Sequence, residues 1–342
     1  MKKLTYLGVL LAVIISLLAA CTPAPTATPA PTTPPKPAAE KVTLTASTSW
    51  VLSSNNVDGF KHFIDLVNER ARGQLEVQLK GGPEVVSVKE SIGAVGKGMI
   101  DINHNNNTQF PISTVAEYAT SFSVGFKVWE DKDFLAIQDK FYREKANAVI
   151  LGAAPNVALF YMGTKKPVAK LDDVKGLRIR THGGLSNVVV AGLGAAPSTI
   201  AAAEVYPALE RGTVEGAMRP LQSVVDDKLY EVIPNIISQP LFSGNALFLM
   251  NQDAWNKLPP NLQKVLTDAA VETHRWGETY YGDLESKAVK TLTDKGVKFN
   301  TLSPEEYARW RKTTDEPVRA HFLKEAGPDA ITLLDIVAKY QK

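Results

Sequence analysis

The sequence predicts an α/β protein built on a parallel sheet. Two patterns carry that expectation. Residues 42–47 (VTLTAS) and 74–80 (QLEVQLK) alternate as strands, and 99–103 reads as a third, shorter one. Helical patterns separate them: Phe60, Phe63, Ile64 and Val67 share one face at 3.6-residue spacing, and 88–96 reads as a second helix. Strand, helix, strand, helix, strand at this spacing makes βαβ units, and such units make parallel sheets.

The later elements follow in order. Residues 131–147 are a helix with Phe134, Ile137, Gln138 and Phe141 in register. Strands are expected at 149–152 and 158–161, then at 177–181, which ends on Arg180. A helix at 204–211 is closed by Gly212, and a strand at 214–218 runs into Arg219. Residues 246–250 (ALFLM) are apolar enough for a strand buried on both faces. Leu262, Val265, Leu266, Ala269, Thr273 and Trp276 predict one long helix reaching residue 295 or so, closed by Gly296. A strand covers 297–302. Ser303-Pro304-Glu305-Glu306 is a capping box with proline in the first turn, so a helix follows through Trp310. A last helix spans 329–340, and no internal repeat is present.

A chain of 342 residues forms one large domain or two smaller ones. The formal net charge is +2, and without Lys2 and Lys3 the basic residues equal the 36 acidic ones. A balanced surface offers no field for nucleic acid or an anionic membrane. Any preference for anions must come from local groups.

The first residues are expected to leave the mature protein. Lys2 and Lys3 are followed by a mostly apolar run at 7–18, short for a membrane span, and then by Leu18-Ala19-Ala20-Cys21. Small residues directly before a cysteine resemble a bacterial lipobox, in which Cys21 becomes lipid-modified. The alternative is an uncleaved anchor helix with an incidental cysteine. Cys21 is the only cysteine of the chain, which excludes disulfides and cysteine-based metal sites within it. Residues 22–40 hold seven of the 21 prolines. They read as an extended spacer that holds the body up to roughly 50 Å from the lipid. The organisation expected is therefore a signal peptide at 1–20, a lipid-anchored linker at 21–40 and a folded body at 41–342.

Arg180 and Arg219 both fall at strand carboxyl ends, where ligands bind in open α/β sheets. A guanidinium grips a carboxylate through two parallel hydrogen bonds. Arg178 shares the alternation face of Arg180, and position at the strand end favours Arg180; the alternative for Arg180 is a structural ion pair. Polar loops around Trp50 and around Asn105 and Asn106 fall on the same sheet edge. Conventional catalytic patterns are missing. None of His62, His104, His182, His274 and His321 lies three or four residues from another, so the helical zinc motif is absent. No G-x-S-x-G elbow, P-loop or dinucleotide fingerprint occurs. No cofactor and no metal site is expected.

The motifs KKPVAKLDDVKGLRIR (165–180), LGAAP (193–197), AEVYPALERGTVEG (203–216) with Pro220, and WNKLPPNLQKVLTDAA (255–270) resemble the DctP-type solute-binding proteins of tripartite ATP-independent periplasmic (TRAP) transporters. The likeness covers 41–342. It implies a two-lobed, periplasmic-binding-protein-like fold with a cleft between the lobes and a long helix crossing both. The implied lobes are about 41–158 with 246–285, and 159–245 with 286–342. It further implies closure over a small organic acid whose carboxylate is held by Arg180. Arg219 stands where relatives commonly carry asparagine or an aromatic residue. The loop before Lys165 is shorter than in relatives with a second ligand arginine, so that contact is either lost or supplied by Lys165.

The expected role is capture of an organic acid outside the cytoplasm and its delivery to a TRAP membrane permease. A ligand-sensing module for a membrane receptor, or a secreted enzyme using the same cleft, are the alternatives.

Overall fold

Alternation and helical spacing produce the first three strands. β1 (Val42–Thr48) places Leu44 and Ala46 in the core. α1 (Asp58–Arg70) buries Phe60, Phe63, Ile64 and Val67. The chain then returns through β2 (Leu75–Gly81), which lies parallel to β1 with Val42 opposite Leu75. α2 (Ser91–Gly96) leads into β3 (Ile102–Asn105), parallel to β1 on its other side. This computed structural model describes residues 41–105, 110–118, 122–155 and 158–341; Cys21 and Asn106 lie outside them. The described residues fall in one compact unit, Lys41–Lys342.

β3 starts three residues later than the sequence suggested. Gly98 turns with φ +69°, leaving Met99 exposed. The Asp101 carboxylate then accepts from the Thr45 backbone N–H at 2.7 Å and so sets the register. α3 (Phe122–Glu130) follows, then α4 (Lys132–Ala146), whose N-cap Asp131 accepts from the N–H groups of Asp133 and Phe134. β4 (Ala148–Ala153) ends this part of the chain.

The next strands build a second sheet. They are β5 (Ala158–Thr164) and β6 (Arg178–Thr181), then α5 (Leu185–Gly192) and β7 (Ala196–Thr199). α6 (Val205–Glu210), β8 (Gly216–Arg219), α7 (Leu221–Asp226), β9 (Asn235–Ile237) and β10 (Phe242–Gly244) complete the run. β11 (Leu247–Asn251), buried at every residue, then returns to the first sheet between β3 and β4, antiparallel to both. The first sheet has the order β2-β1-β3-β11-β4. After α8 (Gln252–Lys257), α9 (Pro260–Asp294) runs for 35 residues to β12 (Lys298–Asn300). The second sheet has the order β12-β9-β5-β8-β6-β7, with β10 also paired to β5.

The body is two-lobed, one sheet to each lobe, and α9 belongs to both. Leu262, Leu266 and Ala269 pack in one core with Phe60, Val77 and Phe248. Some five turns later Ala288 and Leu292 pack in another with Tyr161, Ala217 and Ile236. α10 (Pro304–Glu325) runs far beyond Trp310, with Pro317 on its exposed side. α11 (Ala330–Tyr340) buries Leu333, Leu334 and Val337 in a core shared with Val115, Val128 and Trp129 of the first part of the chain.

Candidate functional site

Between the two sheets lies a cavity of about 900 Å³. Trp50, Asn56, Lys89 and Glu117 approach it from the first part of the chain, and Arg180, His182, Arg219 and Asn245 from the second. Apolar wall is supplied by Phe160, Ile200 and Phe242.

Arg180 sits on β6, which is paired to β7 on one side and β8 on the other, so its backbone is fixed from both directions. Its side chain is 3% exposed. Nε donates to the Ile200 carbonyl at 2.9 Å and one terminal nitrogen to the Met218 carbonyl at 3.4 Å. No carboxylate among the described residues is in ion-pair contact with it. Burial, with the nearby Arg219 charge adding to it, pushes its pKa down to about 10. It remains a cation at neutral pH, aimed and largely desolvated, with charge to spare. Such a group is costly until an anion arrives. Arg178, its rival on the same alternation face, is exposed at the other end of β6. There it donates to the Gly212 carbonyl and faces Glu215.

Arg219 ends β8 and is held by Asp227 in a charge-assisted hydrogen bond. Its Nε is buried without a hydrogen-bond partner. Burial lowers its pKa against the opposing pull of Asp227. His182 follows the end of β6, with its ring 4.9 Å from that of Phe160. Burial, reinforced by the two arginines, pushes it down to about 4. It is therefore a neutral hydrogen-bonding group at physiological pH.

Trp50 closes another wall. Its ring lies 4.6 Å from that of His104, whose Nδ1 is 3.1 Å from the Thr48 hydroxyl. Two polar groups at the cavity are short of partners. Asn245, between β10 and β11, is 5% exposed and neither end of its amide is hydrogen-bonded. Glu117 is 6% exposed, and its carboxyl has no hydrogen-bond partner among the described residues. Burial alone pushes Glu117 up to about 8.

That shift has a sign that can be checked in ligand-free protein. The folded chain keeps the Glu117 proton where the unfolded chain has lost it. The resulting stability is complete below the ordinary value of 4.5 and is lost as pH rises through about 8. Each pH unit in that window withdraws roughly 1.4 kcal/mol from the parent alone. Thermal melts from pH 5 to 9 are expected to fall more steeply for the parent than for Glu117→Gln. Parallel curves would contradict the assignment.

Of the residues expected at the site, the structure brings Arg180, Arg219 and Trp50 to one cavity. Asn105 is corrected: it is fully buried inside β3, opposite Leu247, and donates to the Ser91 hydroxyl at 2.7 Å. The later start of β3 carries Asn105 into the ladder instead of the loop. Lys165 is also corrected. Ala158 and Phe160 line the cavity at the start of β5, whereas Lys165 follows its far end, where its N–H donates to Glu215. Asn106 is outside the described residues. Sequence reasoning missed Glu117, His182 and Asn245, because no motif marks them. Only burial without a partner, or position at the cavity, singles them out. Among the described residues no group of three potential metal ligands occurs, and no helix is long and apolar enough to cross a membrane.

Residues 46–325 match the family described as bacterial extracellular solute-binding protein, family 7 (DctP). A solute-binding protein of Verminephrobacter eiseniae is 25% identical over 86% of this chain and 89% of its own. The C4-dicarboxylate-binding periplasmic protein DctP of Rhodobacter capsulatus is 24% identical over 80% of this chain and 84% of its own. Among solved structures, an open, ligand-free TRAP periplasmic solute-binding protein of Rhodobacter sphaeroides superposes with a TM-score of 0.80. It is 20% identical, and the match covers 88% of this chain and all of that one. A Bordetella pertussis extracytoplasmic solute receptor binding pyroglutamic acid gives 0.72 at 20% identity, over 87% and 99% of the two chains.

Proposed function

We propose, from the premise that this chain belongs to the DctP family of bacterial extracellular solute-binding proteins, that it captures a small organic acid in the cavity between its lobes. The observation that carries the reading is Arg180, a buried cation at the cavity with two carbonyl partners and, among the described residues, no carboxylate in ion-pair contact. The family is extracytoplasmic and its members serve transport. In this chain the acid would pass to a TRAP membrane permease without being transformed.

The mechanism follows from the groups present. The open lobes admit the acid, and its carboxylate meets the free edge of the Arg180 guanidinium. The unpartnered Nε of Arg219 and the neutral His182 complete its hydrogen bonds. Phe160, Phe242 and Trp50 cover the remainder. Closure removes water, and the ion pair strengthens as the local dielectric falls. Because the closed form binds the acid better, ligand shifts the population towards closure, and the closed form is what a membrane partner reads. The lipobox-like LAAC and the proline-rich spacer support an anchor through lipidated Cys21.

Two measurements on the same samples test this. Calorimetry with a panel of carboxylates, and with their alcohols as controls, is expected to find binding only for acids. Small-angle scattering is expected to show a smaller radius of gyration with the bound acid. Binding of the alcohols as tightly as the acids would overturn the reading, as would conversion of the acid during the titration.

A further inference from the structure

The cavity has two poles, and only one is explained by a carboxylate. At the first, Arg180 has no carboxylate in ion-pair contact among the described residues, while Arg219 already has Asp227. At the second, Glu117 is a buried carboxyl with no hydrogen-bond partner among the described residues, and Asn245 lines the same cavity with both ends of its amide unsatisfied. Lys89 also reaches the cavity, but it is exposed and its charge is solvated. The buried charges thus leave one cation and one acid unmatched, with the rings of Phe160, Phe242 and Trp50 also on the wall.

Candidate ligands differ in how they meet this pattern. A plain alkanoate satisfies Arg180 and leaves Glu117 and Asn245 buried and unpaired, at a cost for each. A diacid brings its second carboxylate against Glu117, which burial keeps protonated in the empty cavity; a shared proton can join the two groups, but the second negative charge then stays in a dry site with no cation to match it. An acid with an ammonium group matches both poles. Its carboxylate meets Arg180, and its N–H groups donate to Glu117 and to the Asn245 carbonyl. The ammonium lowers the Glu117 pKa, the carboxyl gives up its proton to solvent, and two ion pairs then form in one closed, dry cavity.

We propose that this cleft selects a zwitterion, an organic acid with an amine at its far end, and that Glu117 and Asn245 are the residues that read the amine. This rests on the carboxylate reading above. Glu117 is thereby a specificity-determining residue that discriminates against diacids.

The test uses straight-chain ω-amino acids, diacids, monoacids and ω-amide acids of equal length, taken over a range of lengths, titrated calorimetrically into the full chain. At the best length the amino acid is expected to bind at least about tenfold more tightly than the diacid, monoacid or amide of that length. Glu117→Gln keeps the shape, removes the group that ionises against the amine and is expected to abolish that preference. Thermal melts of the variant confirm that it is folded. A diacid or amide binding as tightly as the amino acid would overturn the proposal, and so would a preference that survives Glu117→Gln. The two readings fail differently. If monoacids bind and Arg180→Ala abolishes it, the carboxylate site stands even where the amine preference fails. If no carboxylate binds at any length, both fall.

Discussion

Replacing Arg180 by alanine is expected to weaken binding of the cognate acid by ~2–5 kcal/mol, the usual loss when one partner of a buried charge pair is truncated. That is roughly 30-fold or more in dissociation constant. The same substitution is expected to leave the ligand-free protein folded and no less stable. Most buried arginines are held by a carboxylate, so removing them orphans a partner and costs several kcal/mol. Arg180 has no such partner among the described residues: it donates to the Ile200 and Met218 carbonyls, and its pKa is lowered by burial and by Arg219. Deleting it removes an uncompensated charge. The combination of lost binding with unchanged or raised thermal stability distinguishes a ligand clamp from a structural ion pair. A variant that melts well below the parent would place Arg180 in the architecture.

Gly277→Ala is expected to destabilise the protein by about 3 kcal/mol, at the upper end of the cost of overpacking. Glycine to alanine inside a helix ordinarily stabilises by about 1 kcal/mol, so the sign itself is diagnostic. Gly277 lies on α9, and a Cβ there would fall 1.9 Å from the Pro155 Cβ and 3.0 Å from its Cα. Gly59 of α1 meets the same proline from another direction, with a Cβ position 2.2 Å from Cγ. Pro155 is wedged between two helices that can approach only because both carry glycine at the crossing. Gly282 supplies the control. It lies on the same helix with open space at its Cβ position, so Gly282→Ala is expected to stabilise by about 1 kcal/mol. Denaturant unfolding of the two variants checks the pair. Equal effects would mean that the Pro155 contact does not constrain α9.

How much was legible in the sequence depended on how local each signal was. α1 was readable because Phe60, Phe63, Ile64 and Val67 repeat at the helical period, and all four are buried. α9 was readable for the same reason through Leu262, Leu266, Ala269 and Thr273. β7 was not picked out as a strand, and it carries Pro197. Proline has no N–H to give, and β7 tolerates it as the edge strand of its sheet. The strands at 235–237 and 242–244 are three residues each, too short for any period, and pairing with their neighbours creates them.

The site divided along the same line. Arg180 was visible because a strand end and a familiar motif coincide there. Asn105 was misplaced by the two-residue error in where β3 ends, enough to turn a loop side chain into a buried one. Glu117, His182 and Asn245 come from separate stretches of chain and meet only in the folded body, so no local pattern announces them.

The central claim is that Arg180 holds the carboxylate of an acid carried unchanged. It is tested most directly by exposing wild-type protein and Arg180→Ala to the same mixture of soluble metabolites, washing, denaturing gently and identifying what each releases by mass spectrometry. The account predicts a carboxylate, chemically intact and in near-stoichiometric amount, from wild type and little or none from the variant. The same compound in equal amount from both, or a released compound without a carboxylate, would contradict it.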